Sequence, residues 1–169
     1  GPRARLLRGH SSCAGLVRTA LRRSDAAALL CLRFGEPTGA RRFPVVLLAS
    51  NFVNHPETAK RRELLTCCAR HVERDGRVLI QGFPRDWEPD TEWSELGGVR
   101  LRLRAYEVDG NVVTGEMEYE VDGERLVHSF ESRLLDDDEL DVDLHSVGLR
   151  RARVLDDRGS WIEAMPAGS

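Results

Sequence analysis

The sequence has almost no lysine and no long apolar run. Lys60 is the one lysine among 25 basic residues, and the others are all arginine. Because arginine codons are mostly G+C-rich and lysine codons A+T-rich, this bias indicates a G+C-rich bacterial genome. No apolar run approaches the roughly 20 residues that span a bilayer, and no basic segment followed by a long apolar one marks a signal peptide. We therefore expect a cytoplasmic bacterial protein without a membrane partner.

The cysteines and acidic residues lack the spacing of metal ligands. Cys13, Cys31, Cys67 and Cys68 form no C-x-x-C pair and no cysteine–histidine pair with zinc spacing. The acidic run at residues 136–139 is not distributed around a loop, as magnesium and calcium sites require. We therefore expect reduced thiols and no bound metal.

Charge is divided unevenly along the chain, although the net charge is only -3. Residues 1–43 contain nine arginines and two acidic residues, whereas residues 44–169 are acidic overall. An arginine-rich start is typical of a nucleic-acid-binding arm, but this one lacks interleaved aromatic residues and a recognisable binding motif. We favour a disordered segment or a mis-phased translation of G+C-rich coding sequence. The predicted organisation is a basic segment at 1–43 and a domain at 44–169, with no nucleic-acid partner.

Residues 44–54 are the stretch around which the domain is organised. An unbroken apolar run at 45–49 is followed by the polar residues Ser50, Asn51 and Asn54. A short β-branched run without alternation predicts a strand buried on both faces, which is typical of a parallel sheet covered by helices. Ligands of open α/β sheets bind beyond the carboxyl ends of the strands. We therefore place the candidate site at these three polar residues.

The remaining elements follow from periodicity and turn residues. A helix is predicted from Pro56 to a stop at Gly76, and a strand at 77–83 completes a right-handed βαβ crossover. Alternation between 99 and 133, with turns at 109–111 and 122–123, predicts a three-stranded antiparallel meander. The acidic run predicts a helix start, and strands at 150–155 and 161–165 form a hairpin. The predicted fold class is α/β, a βαβ unit with an inserted antiparallel meander, a helix and a C-terminal β-hairpin.

Two groups of side chains have both a functional and a structural interpretation. His55 is next to the predicted site, and an imidazole that titrates near pH 6.5 suits removal of a proton from an acceptor. A capping or surface histidine is the favoured alternative. The row Arg100, Arg102 and Arg104 faces either an anionic substrate or solvent, and charge on an exposed strand more often deters strand addition.

This combination of elements resembles the class I S-adenosylmethionine-dependent methyltransferases. The resemblance is carried by residues 41–54, 61–87, 134–149 and 156–166. It implies a partial Rossmann-like sheet in which 44–49 is the fourth strand, 77–83 is the fifth, and the closing hairpin makes the last strand antiparallel. It further implies S-adenosylmethionine as cofactor and a small-molecule acceptor.

The resemblance also implies roles for individual residues. Ala49, Ser50 and Asn51 would contact the cofactor, and His55 would be catalytic. The substrate-binding residues would be Asn54, Arg85 and Trp87. Local side-chain bonds in a turn are an equal alternative for Ser50 and Asn51 and the favoured one for Asn54. A cap on the local core is an alternative of at least equal weight for Trp87.

Two features of the family are missing from the sequence. There is no glycine-rich turn after a first strand, where backbone approaches the methionine end of the cofactor, and no acidic residue after a second strand. The 43 residues ahead of Pro44 are too few for three strands and their helices. We therefore expect a truncated methyltransferase impaired in cofactor binding. The alternatives are a non-catalytic binding or dimerisation module, with a homodimer as a further hypothesis, and an unrelated α+β small-molecule binder.

Overall fold

The computed structural model describes residues 42–168. The predicted segment at 1–43 therefore lies almost entirely outside the described residues. The elements in chain order are β1 (Phe43–Leu48), a 3-10 turn (Phe52–Asn54), α1 (Thr58–His71), β2 (Val72–Gln81), β3 (Ser94–Leu96), β4 (Val99–Asp109), β5 (Val112–Val121), β6 (Glu124–Arg133), α2 (Asp137–Ser146), β7 (Leu149–Val154) and β8 (Trp161–Pro166).

The first sheet contains four described strands in the order β1-β2-β8-β7. Strands β1 and β2 are parallel and are joined through helix α1, with Val46 opposite Val78 and Leu48 opposite Ile80. Strand β8 runs antiparallel between β2 and β7. The predicted βαβ unit and closing hairpin are both confirmed. Strand β1 is parallel as predicted, but it ends at Leu48 and does not include Ala49.

The core lies between this sheet and the two described helices. Leu64, Leu65 and Cys68 of α1 and Leu144 of α2 pack against buried β1 and β2 residues such as Val46. Burial raises the pKa of the Cys68 thiol to about 12, so that thiol stays protonated and unreactive. Neither described helix is long and apolar enough to cross a membrane.

The boundaries of helix α1 and strand β2 differ from the prediction. The helix begins at Thr58 rather than Pro56, and it ends at His71 rather than at Gly76. Strand β2 starts at Val72, which is fully buried and pairs with Phe43 before the ladder shifts register. A Cβ on Gly76 would lie 3.0 Å from the Pro44 carbonyl oxygen. Gly76 therefore permits close backbone approach inside the sheet and does not terminate the helix.

The second sheet has the order β3-β4-β5-β6, and β4, β5 and β6 are the predicted meander. The turn between β5 and β6 has Asp122 and Gly123 at φ 51° and 82°, as a two-residue type I′ hairpin requires. Strand β3 was not predicted from the sequence. It pairs with β4 across Gly97 and Gly98, both at positive φ.

A buried ion-pair network joins helices α1 and α2. Asp143 accepts from Arg61 Nε at 2.9 Å and from Arg62 Nε at 2.8 Å. The Arg61 and Asp143 side chains are each only 3% exposed. Arg61 also donates to the carbonyls of His55 and Pro56 and to the Thr58 hydroxyl. The guanidinium therefore holds helix α1 to α2 and to the segment that follows β1.

Replacing Asp143 with alanine should destabilise the fold severely. The change leaves the Arg61 charge buried without its carboxylate, and breaking a buried pair from one side costs about 3–5 kcal/mol. Urea denaturation followed by circular dichroism measures the loss. The control is Glu63→Ala, which removes the exposed Lys60–Glu63 pair and should cost less than about 1 kcal/mol. Equal losses in the two variants would contradict the role given to Asp143.

Candidate functional site

The carboxyl end of β1 has a strained backbone. Ser50 and Asn51 both adopt the left-handed conformation, at φ 60° and 57°, which non-glycine residues enter at a cost. The Ser50 N–H donates to Gln81 Oε1 at 2.9 Å, and the Asn54 N–H donates to the Asn51 carbonyl at 2.9 Å. Strain of this kind concentrates at functional sites, and here it falls where the sequence places the candidate site.

A cleft of about 620 Å³ opens beside this turn. Its floor is the carboxyl end of β2 and the residues that follow it, at 81–84. One side is the inner face of the meander, and the other is the β7–β8 connection at 155–161. Ligands of α/β sheets bind at the carboxyl ends of the strands, and a volume of this size suits a small molecule.

Asn54 joins the two sheets beneath the cleft. Its buried amide nitrogen donates to the Arg133 carbonyl at 2.8 Å, and its amide oxygen accepts from the Phe83 N–H at 3.1 Å. A Cβ on Gly82 would lie 3.1 Å from Asn54 Oδ1, so glycine at this position leaves room for the Asn54 amide. Both ends of the amide are bound to backbone, and the residue does not line the cleft.

The other predicted site residues fall into two groups. Asn51 and Trp87 line the cleft, with the Trp87 ring 5.2 Å from that of Phe83. Ala49 and Ser50 lie in the adjoining turn after β1. In the second group, Arg85 is not part of the lining and pairs with Asp137 at 2.6 Å.

His55 also lies outside the cleft lining. Its ring Nδ1 accepts the Glu57 N–H at 3.1 Å, just before helix α1 begins. The observed contact is therefore the one that the capping interpretation predicts. Only Nε2 of the ring would be free to accept a proton from an acceptor.

The arginine row of β4 is neutralised by the neighbouring strand. Arg100, Arg102 and Arg104 each pair with a glutamate of β5. The hydrogen bond from Arg102 holds the pKa of Glu118 below its usual range. Arg100 and Arg102 also lie over the Trp93 ring, at 4.8 and 4.7 Å from its centre. The positive charges of the row are therefore neutralised by the glutamates of β5, and the row attracts an anion only weakly.

The charge of the cleft itself is mainly negative. Its two basic residues are paired outside the lining, Arg102 with Glu118 and Arg158 with Asp86. The lining also includes five carboxylates, at Glu88, Asp90, Glu92, Asp156 and Asp157. The Asp156 carboxylate accepts hydrogen bonds from the Ser160 hydroxyl and N–H and from the Trp161 N–H. The other four acidic residues of the lining are exposed. The cleft therefore favours a neutral or positively charged ligand over an anion.

Sequence reasoning missed the contribution of the meander to the cleft. Leu101, Leu103, Met117 and Phe130 line it, and all four lie on one face, as the pairings of β4, β5 and β6 show. A Cβ on Gly115 would be 2.8 Å from the Phe130 ring, so glycine lets that ring lie across the strand. The alternation of apolar residues and the lone glycine are signals that could have indicated this surface.

The turn after β1 is the part of the described chain where the sequence places a nucleoside cofactor. This turn places Asn51 in the lining of the cleft. That part of the chain has no glycine-rich turn following a strand of the kind that would hold a methionine moiety. It also contains no group of histidine, cysteine and acidic side chains arranged to hold a metal ion.

Comparison with known proteins establishes the fold through structure alone. No family model matches the sequence, and the comparison with curated proteins finds no match. An S-adenosylmethionine-dependent methyltransferase from Clostridium acetobutylicum ATCC 824 superposes with a TM-score of 0.61 at 10% identity, over 90% of this chain and 69% of that one. Streptomyces venezuelae DesVI gives 0.58 at 18% identity, over 90% and 70%.

A third similar structure is the sugar N-methyltransferase KedS8 from Streptoalloteichus sp ATCC 53650. Its TM-score is 0.55 at 16% identity, over 88% of this chain and 66% of that one. The chain thus spans about two thirds of the length of these structures. The fold class is therefore the Rossmann-like α/β fold of class I methyltransferases. This chain has that fold in part, as its sequence resemblance implied, whereas identities this low do not transfer an activity.

Replacing Asn54 with alanine should destabilise the junction of the two sheets. The change leaves the Phe83 N–H and the Arg133 carbonyl without their partner, and unsatisfied groups of this kind cost about 2–4 kcal/mol together. The control is Asn51→Gly, which deletes another amide but keeps the left-handed turn and should change stability by less than about 1 kcal/mol. Urea denaturation compares them, and an Asn54 variant as stable as the control would refute this assignment.

Stability should depend on pH through Asp137. Partial burial raises the pKa of this carboxyl, but hydrogen bonds from Arg151 and Arg85 outweigh burial and leave the pKa below its usual range. The ionised form therefore stabilises the fold above the unfolded pKa of about 3.9, and this contribution is lost as the pH falls through the lower folded pKa.

The measurement is the difference in unfolding free energy between the unmodified chain and Asp137→Asn. This difference should favour the unmodified chain at neutral pH and shrink as the pH falls below about 4. Arg151→Met removes one of the two hydrogen-bond donors to Asp137. When the effect of Asp137→Asn is measured in that background, its dependence on pH should be smaller. Growth of the difference on acidification would show that the sign is wrong.

Proposed function

We propose that the chain is part of an S-adenosylmethionine-dependent methyltransferase and that its cleft binds the small-molecule acceptor. The observation that carries this proposal is the position of the cleft. It opens at the carboxyl ends of the parallel strands β1 and β2, between the first sheet and the meander. The methyltransferases with similar folds, including one described as a sugar N-methyltransferase, support a small molecule as the acceptor.

The cofactor would lie against the turn after β1. Ala49 and Ser50 would contribute backbone groups, and Asn51 would contribute its side-chain amide. S-adenosylmethionine, when bound, would supply an electrophilic methyl group. The main task of the protein is then to align the acceptor and to exclude water, because such a transfer needs little acid–base machinery.

The acceptor would be enclosed by aromatic and apolar side chains. Phe83 and Trp87 line the cleft after β2, and Met117 and Phe130 line it from the meander. The acidic lining favours a neutral or cationic acceptor, such as one with an amino group, over a carboxylate or phosphate. Trp87 is the proposed contact residue, whereas Asn54 and Arg85 act as positioning residues through their bonds to backbone and to Asp137.

His55 has a limited place in this proposal. With Nδ1 engaged by the Glu57 N–H, it would accept a proton only through Nε2, and only from an acceptor that reaches beyond the cleft lining. A variant His55→Gln would test this role, because a glutamine keeps polar capping groups but cannot act as a base.

The alternative is a non-catalytic binding or dimerisation module. It is favoured by one observation, that residues 42–168 contain no glycine-rich turn after a strand of the kind that holds this cofactor. Cofactor binding separates the two functions, because a module of this kind needs no sulfonium nucleoside.

Isothermal titration with S-adenosylhomocysteine tests cofactor binding directly. Because the glycine-rich turn is missing from residues 42–168, we expect weak binding, with the dissociation constant raised about a further threefold to tenfold in Asn51→Gly, which removes about one hydrogen bond. The matched control is Asp122→Gly, which also replaces a left-handed residue by glycine but lies in the β5–β6 turn. It should bind as the unmodified chain does. No detectable binding would leave the module or a methyltransferase fragment without its cofactor half.

Methyl transfer to a panel of amines, alcohols and carboxylates tests the acceptor. We expect transfer to neutral or amino-bearing acceptors, with the KM raised about fivefold or more in Trp87→Ala through loss of aromatic contact. Trp93→Ala is the control, since Trp93 is not part of the cleft lining and its ring packs on Arg100 and Arg102. Preference for carboxylates, or equal effects of the two variants, would contradict the acceptor assignment.

A further inference from the structure

Strand β6 is an open edge of the second sheet. It is the last strand in the order β3-β4-β5-β6, is ten residues long, and has no register shift in its ladder with β5. It contains no proline, and Leu126 and Val127 are 59% and 48% exposed. A long, regular and partly apolar edge of this kind is a ready template for pairing with another strand.

The other edge strands among residues 42–168 are interrupted. Strand β3 has only three residues. The ladders of β1 and β7 with their neighbours each contain a register shift, the latter between Arg151 and Arg153. Interruptions of this kind deter strand addition. The regular edge of β6 is therefore a distinguishing feature of the meander.

The hairpin determines which backbone groups of β6 point outward. A two-residue turn makes Val121 and Glu124 its closing, hydrogen-bonded pair. Because antiparallel pairing alternates, even-numbered residues of β6 bond to β5 and odd-numbered residues present their N–H and C=O groups outward. The bond from Asn54 to the Arg133 carbonyl agrees with this direction. No described residue bonds to the outward groups at 125, 127, 129 and 131.

We propose that β6 pairs antiparallel with β6 of a second copy about a two-fold axis at His128. In this register Arg125 of each copy lies opposite Glu131 of the other, and Val127 lies opposite Ser129. Every outward group at these four positions is then hydrogen-bonded. Opposite charges directly across a ladder are favourable, and a shift of two residues in either direction removes both contacts. Charge complementarity therefore selects a second copy in this one register.

The same register brings apolar residues together on the inner face of the meander. Leu126 lies opposite Phe130 of the second copy in a non-hydrogen-bonded pair, where side chains approach most closely. Because Phe130 lines the cleft, Leu126 of the second copy extends that wall. The pairing thus buries exposed apolar surface and completes one side of the site. It does not depend on the proposed methyl transfer.

Sedimentation velocity over about 1 to 100 μM tests this assembly. We expect the unmodified chain to form a dimer within this range. Arg125→Glu and Glu131→Arg each place like charges opposite one another twice, and each should raise the dimer dissociation constant about tenfold or more. Mixing the two single variants restores opposite charges across the axis and should restore dimers. Arg104→Glu, a matched reversal on β4, should leave the dimer unchanged.

A second variant tests the backbone pairing separately. Ser129→Pro removes an outward N–H without removing a bond to β5. It should yield monomers, and circular dichroism should show retained strand content. The proposal is overturned by a chain that stays monomeric up to the highest concentration, by a dimer that neither the charge reversals nor Ser129→Pro weakens, or by single variants that do not recover dimers when mixed.

Discussion

The buried carboxylate of Asp143 lies between two arginines of helix α1 and joins that helix to α2. Removing a charge from water is costly, and the cost is offset only where every donor and acceptor has a partner. Arg61 largely meets this condition, because besides Asp143 it donates to the carbonyls of His55 and Pro56 and to the Thr58 hydroxyl. The same guanidinium that joins the helices therefore also fixes the path of the chain as it leaves the strained turn after β1.

The cleft exists because two sheets meet at a few polar ties and diverge elsewhere. Asn54 is one such tie, since it bonds to backbone at the end of β2 and at the end of β6. Arg85 has a different role, because its ion pair with Asp137 connects the segment after β2 to helix α2. These residues were expected to contact substrate. Their observed bonds are to backbone and to Asp137, and the space between the sheets is lined by the apolar face of the meander.

The two faces of the meander have different chemistry. On one face, arginines of β4 pair with glutamates of β5, which neutralises a row that looks strongly basic in the sequence. On the other face, Leu103, Met117 and Phe130 alternate into the cleft. Because successive side chains of a strand point to opposite faces, one short sequence supplies both a solvent-facing ion-pair ladder and an apolar wall. The net negative lining of the cleft comes from the loops around it.

Short-range patterns in the sequence were sufficient to predict the parallel strand β1, the meander and the closing hairpin, because hydrophobic periodicity and turn residues act locally. The start of α2 was also readable, since Asp136 caps the Glu139 N–H as its position suggested. The end of α1 was decided by tertiary structure, because burial of Val72 against β1 outweighed the helical pattern that continued toward Gly76. The roles of Asn54, His55 and Arg85 were likewise decided by partners distant in the chain or by the path of the backbone. Residue type and spacing do not encode which backbone group a buried amide or guanidinium will meet, and only the packed fold brings those groups together.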